Sequence, residues 1–177
     1  TLAKAIAKHY NLIYLDTGKI YRYIAYLKIK FPNQFNLIFL KKKIKFLNNK
    51  NLSRKYLLTN EVGTQASLIS KNKNIRKLVH SFQLNYAYNP PKKYNGSCLD
   101  GRDITYKIIP DADFKFYITA NLKVRALRRY KELKKINNKV KYEEVLKSIK
   151  NRDKSDFSRK ISPLKKTKDS LLINTTN

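Results

Sequence analysis

The sequence contains one cysteine, four glycines and no methionine among 177 residues, and only 12 acidic residues against 40 lysines and arginines. Each scarcity excludes something. With Cys98 alone no internal disulfide can form, which fits a reducing cytoplasm. A lone thiol in an apolar strand reads as a small core residue. No apolar run approaches the roughly 18 to 20 residues that a helix needs to cross a bilayer. The opening Thr1–Tyr10 has lysines at helical spacing and no continuous apolar stretch, so it does not read as a secretory signal. The lack of methionine, even at position 1, makes Thr1 a processed end or a break in a longer gene product, and a break is the expectation.

The scarcity of acids leaves a formal charge of +28. Clustered lysines would point to nucleic acid, because they release counterions from a phosphate backbone. These lysines are instead spread along the chain and accompany asparagine-rich stretches such as Asn48-Asn49-Lys50-Asn51. A compositional bias with solvated lysines explains them better, and nucleic acid is not the expected partner. The positive field still favours anionic substrates.

What is present suffices for one domain, with a hydrophobic fraction of 42%. Leu2, Ile6 and Tyr10 fall on one face of a helix. Leu12–Leu15 reads as a short strand ending at Asp16, and a helix opens after Thr17-Gly18. From Phe31 to Asn60 the pattern is weak, with Lys41–Asn48 helical and Lys55–Leu58 strand-like. Helices are expected near Val62–Ser70 and Asn74–Ala87, the second stopped by Asn89-Pro90-Pro91. A buried strand leads to Asp100, and Pro110–Asp113 is a loop before the strand Phe114–Ile118. Helices over Leu122–Ile136 and Tyr142–Arg152 precede a last strand, Leu171–Ile173. Strands alternating with helices imply an α/β fold with a parallel sheet covered on both faces.

Two segments carry the chemistry: Leu15-Asp16-Thr17-Gly18-Lys19-Ile20-Tyr21-Arg22 and Leu99-Asp100-Gly101-Arg102-Asp103. Each ends an apolar run in a tight turn, where glycine permits close approach of a ligand. Each then supplies an arginine, whose planar donor fork matches phosphate oxygens. Together they suggest a site for a phosphorylated small molecule. Arg125, Arg128 and Arg129 share a helix face at i, i+3 and i+4. His9 and His80 read as helix decoration.

In order and spacing these segments resemble the bacterial cytidylate kinases, the (d)CMP kinases among the P-loop nucleoside monophosphate kinases. The resemblance runs through Leu15–Gly18, Tyr21-Arg22, Ile75-Arg76, Asp100–Asp103, Pro110-Asp111-Ala112 and Lys115. It continues through Arg125-Ala126, Arg128-Arg129, Arg152-Asp153, Asp156, Arg159 and Pro163-Leu164. It implies a P-loop-type parallel sheet flanked by helices, with an NMP-binding insertion over about 31–90 and a helical lid over about 122–155 of a single domain spanning 1–177. It implies phosphoryl transfer from ATP, with Mg²⁺, to CMP or dCMP, by a monomer in the cytoplasm.

The same resemblance assigns Arg22, Arg102 and Thr17 to the CMP phosphate, and Ser67, Arg76 and Asp103 to the cytosine edge. A carboxylate at Asp103 can accept from the cytosine amino group, a donor that uracil lacks. Asp156 and Arg159 correspond to the sugar-binding pair. Arg125, Arg128, Arg129 and Arg152 correspond to lid arginines around the ATP phosphates, and Asp100 suits an outer contact to Mg²⁺. Thr1 matches the last threonine of the Gly-rich ATP loop. The rest of that loop and the central strand before it are expected upstream, so residues 1–177 alone are expected to be poorly folded and inactive. The C-terminus is also expected to be cut short, where the family begins another helix.

The chain departs from the family where Ile104-Thr105-Tyr106 replaces the usual Ile-Gly-Thr, and where Gln83-Leu84 replaces a common Gln-Arg pair. Two other readings stay open at this point. One is a silent relative that binds nucleotide or RNA through its basic surface. The other is a kinase acting on another nucleoside monophosphate.

Overall fold

Side-chain caps and buried stripes explain most of the helices. In the computed structural model, which describes residues 1–177, Thr1 caps α1 (Leu2–His9) by accepting from the Lys4 amide. Asp16 ends strand β1 (Leu12–Asp16) and caps α2 (Thr17–Lys30), whose buried Ile20, Tyr23, Ile24 and Leu27 recur at helical spacing. A 3₁₀ turn at Pro32–Gln34 leads to α3 (Leu37–Lys45), which Asn36 caps and which buries Leu40 and Ile44. The short α4 (Asn49–Leu52) begins with a reciprocal Asn48–Asn51 capping box. Thr59 caps α5 (Asn60–Ile69), and Asn72 caps α6 (Lys73–Tyr88) through two backbone amides. Ile75, Val79, Gln83 and Ala87 form the buried stripe of α6, and Asn89 follows its last turn.

Strand β2 (Gly96–Asp100) pairs in parallel with β1, Leu12 opposite Gly96 through Asp16 opposite Asp100. A π-type turn at Ile104–Ile108 precedes β3 (Phe116–Thr119). Helices α7 (Leu122–Lys134) and α8 (Tyr142–Ser158) follow, and β4 (Leu171–Asn174) pairs in parallel with β3. The fold is α/β, with small parallel sheets and helices about them. The chain divides into two units, Thr1–Ile104 and Thr105–Asn177. The first holds the main core, in which Leu15, Ile20, Ile24, Leu40, Leu57 and Val79 are almost wholly buried. The second buries less, chiefly Ile108, Ala126, Leu133 and Val145.

Several expectations change. Lys55–Leu58, expected as strand-like, is a 3₁₀ turn. Leu57 is buried in the core there, and its carbonyl accepts from Arg22, so the segment serves a helix rather than a sheet edge. Cys98 is half-buried rather than wholly buried, and its thiol donates to the Ala3 carbonyl at 3.5 Å. Helix α8 runs on to Ser158, past the Arg152 end expected for it. The strands form two separate two-stranded parallel sheets. Phe116, Ile118, Leu171 and Leu172 of the second sheet remain exposed.

Candidate active site

In the first unit the site is built at the carboxyl ends of β1 and β2, the end at which parallel sheets bind ligands. Asp16 and Asp100 end adjacent strands in register, so two carboxylates stand side by side. Burial raises the Asp16 carboxyl above its ordinary value of 3.8, the Asp100 charge adds to this, and Lys19 and Arg22 oppose it. The Tyr14 hydroxyl donates to Asp100 at 3.3 Å and is itself raised, mainly by burial. Thr17 is buried, and its hydroxyl donates to the Asp100 carbonyl at 2.8 Å, tying the start of α2 to the end of β2. Gly101 makes that approach possible: a Cβ there would stand 2.3 Å from the Thr17 hydroxyl oxygen.

Arg22, one turn into α2, donates to the carbonyls of Leu57 at 2.7 Å and Thr59 at 3.3 Å. Its guanidinium lies against Gly63 of α5, where a Cβ would come within 3.0 Å of it. Ser67 lies one turn further along α5 and is half-buried. Arg76 of α6 pairs with the buried Asp103, donates to the Ser70 carbonyl at 3.3 Å, and stacks over Tyr21 at 5.8 Å. Arg76 and Asp103, two of the three residues expected to read the base, are thus brought together from positions far apart in sequence. Arg102 is half-buried beside them in the chain. His9 stacks edge-on against Tyr10, and His80 is half-buried on α6 with its Nδ1 unpartnered, so neither joins the site.

In the second unit every expected lid arginine has a protein partner. Arg125 pairs with Asp153 at 2.7 Å and donates from Nε to the Ala120 carbonyl at 2.9 Å. Arg128 donates to the Thr175 carbonyl at 2.6 Å, and Arg129 pairs with Glu132 at 3.0 Å. The i, i+3, i+4 spacing therefore does not leave them as one open cationic face. Arg152 lies 3.7 Å from Asp156, and the buried Asp156 pairs with Arg159 at 3.4 Å.

No group of three or more His, Cys, Asp or Glu side chains stands where it could cage a metal ion. Mg²⁺ does not require such a cage, since it keeps several waters and shares substrate phosphates. Asp16 and Asp100 fit it: their mutual repulsion is what a nearby dication relieves. Asp16 and Asp153 stood in the quoted motifs without a role of their own, and Gly63 was not singled out from the sequence. Gly63 could have been, as one of four glycines and the one set inside a helical pattern.

No helix is long and apolar enough to cross a membrane. The cytidylate kinase family pattern matches residues 1–177. A cytidylate kinase of Bartonella tribocorum is 42% identical over 180 residues, covering 99% of this chain and 80% of that protein. One of Clostridium tetani is 40% identical over 190 residues, and one of Mesomycoplasma hyopneumoniae strain 7448 is 36% identical over 193; each match covers 100% of this chain and 81% of the relative. With this match along its length and the strand-end arginines and carboxylates in the family's order, the chain belongs to the cytidylate kinase family.

Proposed function

We propose that the protein transfers the γ-phosphoryl group of ATP to CMP or dCMP. A phosphate oxygen of the monophosphate forms the new bond to phosphorus, the bond to the β-phosphate oxygen breaks, and CDP or dCDP and ADP result. Such transfer asks the protein for alignment and positive charge rather than covalent help. Arg22 and Arg102, with the Thr17 hydroxyl, hold the acceptor phosphate. Ser67, Arg76 and Asp103 read cytosine, and Asp156 and Arg159 hold the sugar. Arg125, Arg128, Arg129 and Arg152 exchange their present partners for the phosphates of ATP, so that closure of about 122–155 also excludes water. Thr1 lies at the ATP phosphates. Asp16 and Asp100 would hold Mg²⁺ through water, and the ion would neutralise charge on the transferring phosphoryl group.

The buried pairing of Arg76 with Asp103 carries this reading. Arg76 holds one carboxylate oxygen, which orients the other as an acceptor for the cytosine amino group. A uracil carbonyl at that place would face a carboxylate, and a buried acceptor without a donor is costly. Titration calorimetry with CMP and UMP tests it. CMP should bind at least about tenfold more tightly, and Asp103→Ala should bring the two within about threefold. Equal binding by the unaltered protein would sink the base-reading role.

A finer architecture belongs with this reading. Two-stranded sheets are marginal alone, and the outer edge of β2 is open to a further parallel strand. We propose that such a strand, leading into the Gly-rich ATP loop, pairs there. Residues of about 31–90 act as the monophosphate-binding region.

A further inference from the structure

Tyr106 stands where the resemblance predicts a different residue, and it has a position to match. The π-type turn Ile104–Ile108 carries it. Its hydroxyl donates to the Pro163 carbonyl, and its half-buried ring lies under the Lys165 ammonium, 4.3 Å from the centroid. The segment it grips is the turn after α8. Arg159 donates from Nε to the Ser162 carbonyl at 2.5 Å, and the Leu164 amide donates to the Asp156 carbonyl at 2.7 Å.

Ser162 sits between these bonds with φ at 52°, buried, in the left-handed region that a non-glycine residue seldom occupies. Strain of this kind persists only where the surroundings impose it. The bonds on either side impose it here. Arg159 holds Ser162 from within the turn, and Tyr106 holds the next carbonyl from outside it. The turn is therefore clasped at both ends, and the guanidinium of Arg159 is left facing Asp156 at 3.4 Å.

We propose that Tyr106 is a positioning residue for sugar recognition: its hydroxyl locks the 159–163 turn, and the turn aims the Asp156–Arg159 pair at the nucleotide sugar. This rests on the reading of that pair as the sugar site. Tyr106→Phe removes the hydroxyl and leaves the ring. The test measures binding of CMP and of 2′,3′-dideoxy-CMP, which lacks both sugar hydroxyls, by calorimetry on the whole chain. Tyr106→Phe should weaken CMP about five- to tenfold, as one lost hydrogen bond does, and leave dideoxy-CMP within about twofold. Lys165→Ala keeps the hydroxyl and should retain the preference for CMP.

Equal weakening of both ligands by Tyr106→Phe would mean a merely structural tyrosine and overturn the proposal. So would no change in either, or a loss of preference in Lys165→Ala that matches the phenylalanine variant. Asp156→Ala separates the two levels of the argument. If it abolishes the preference while Tyr106→Phe does not, the sugar site stands and the role of Tyr106 falls. If Asp156→Ala keeps the preference, the sugar assignment falls and the proposal falls with it.

Discussion

Gly101 shows how far a single missing Cβ can organise this site. A methyl group there would stand 2.3 Å from the Thr17 oxygen and 2.9 Å from Ile104 Cδ1. Thr17 cannot simply rotate away, because its hydroxyl is spent on the Asp100 carbonyl. Gly101→Ala must therefore break that bond or shift the loop between β2 and Asp103. Overpacking of this sort costs about 1–3 kcal/mol, and the displaced loop carries Arg102. Chemical denaturation should show a loss in that range, and CMP affinity should fall about tenfold or more, as misplacing one charge-assisted hydrogen bond of Arg102 does. Thr17→Ala in the same chain should recover part of the lost stability by clearing the oxygen. A Gly101→Ala protein of unchanged stability and affinity would refute the close-packing argument.

At the scale of elements, the pairing of β3 with β4 depends on a charged clamp at its start. Lys115, just before β3, pairs with Asp169, just before β4, and donates to the Pro110 carbonyl. Hydrogen bonds from Lys115 and then Thr167 bring the Asp169 carboxyl down from its ordinary 3.8 to about 2. A depressed folded-state value means that the folded chain favours the charged form. The resulting stabilisation is complete above pH 3.8 and is lost as the pH falls toward 2. Because Asp169 is exposed, solvent screens much of the effect. In an acid titration followed by backbone amide signals of β3 and β4, Asp169→Asn should remove the part of the transition in this window. An unchanged profile would mean that the clamp contributes nothing. Helix α7 shows a related economy, since Arg125 is held by Asp153 from α8 before any phosphate arrives. Those partners pre-order the guanidinium but must be surrendered on binding.

At the scale of the whole molecule, a sheet of two strands leaves each strand with an open edge. Neither pair reaches the number of strands that makes a sheet independently stable. No Gly-x-x-x-x-Gly-Lys segment occurs in these 177 residues, so the backbone amides that would cradle ATP phosphates are not among them. A polypeptide restricted to residues 1–177 should therefore phosphorylate no CMP in a coupled assay. The same residues carrying a grafted strand and Gly-rich loop ahead of Thr1 should turn CMP over. Measurable turnover by the restricted polypeptide would contradict the role given to that loop.

Local signals were sufficient where neighbours in sequence are neighbours in space. Helices α2, α5 and α6 and the strands β1 and β2 follow from caps, apolar spacing and the proline pair, and the order of Asp16, Arg22, Arg76 and Asp100–Asp103 carried the family. Legibility failed where partners are distant. Lys55–Leu58 has a strand-like composition, yet it became a 3₁₀ turn because Leu57 found the core and Arg22 took its carbonyl. The spacing of Arg125, Arg128 and Arg129 described a shared face, but Asp153, Thr175 and Glu132 dispersed it. Tyr106 looked like a mere departure from pattern until its hydroxyl reached Pro163, 57 residues away. The sequence by itself determined the helices, the strand-end motifs and the family, because those depend on periodicity and order along the chain. Only the tertiary structure decided which carboxylate faces which arginine, because a charge in a folded protein is stabilised by whatever the fold brings within about 4 Å of it.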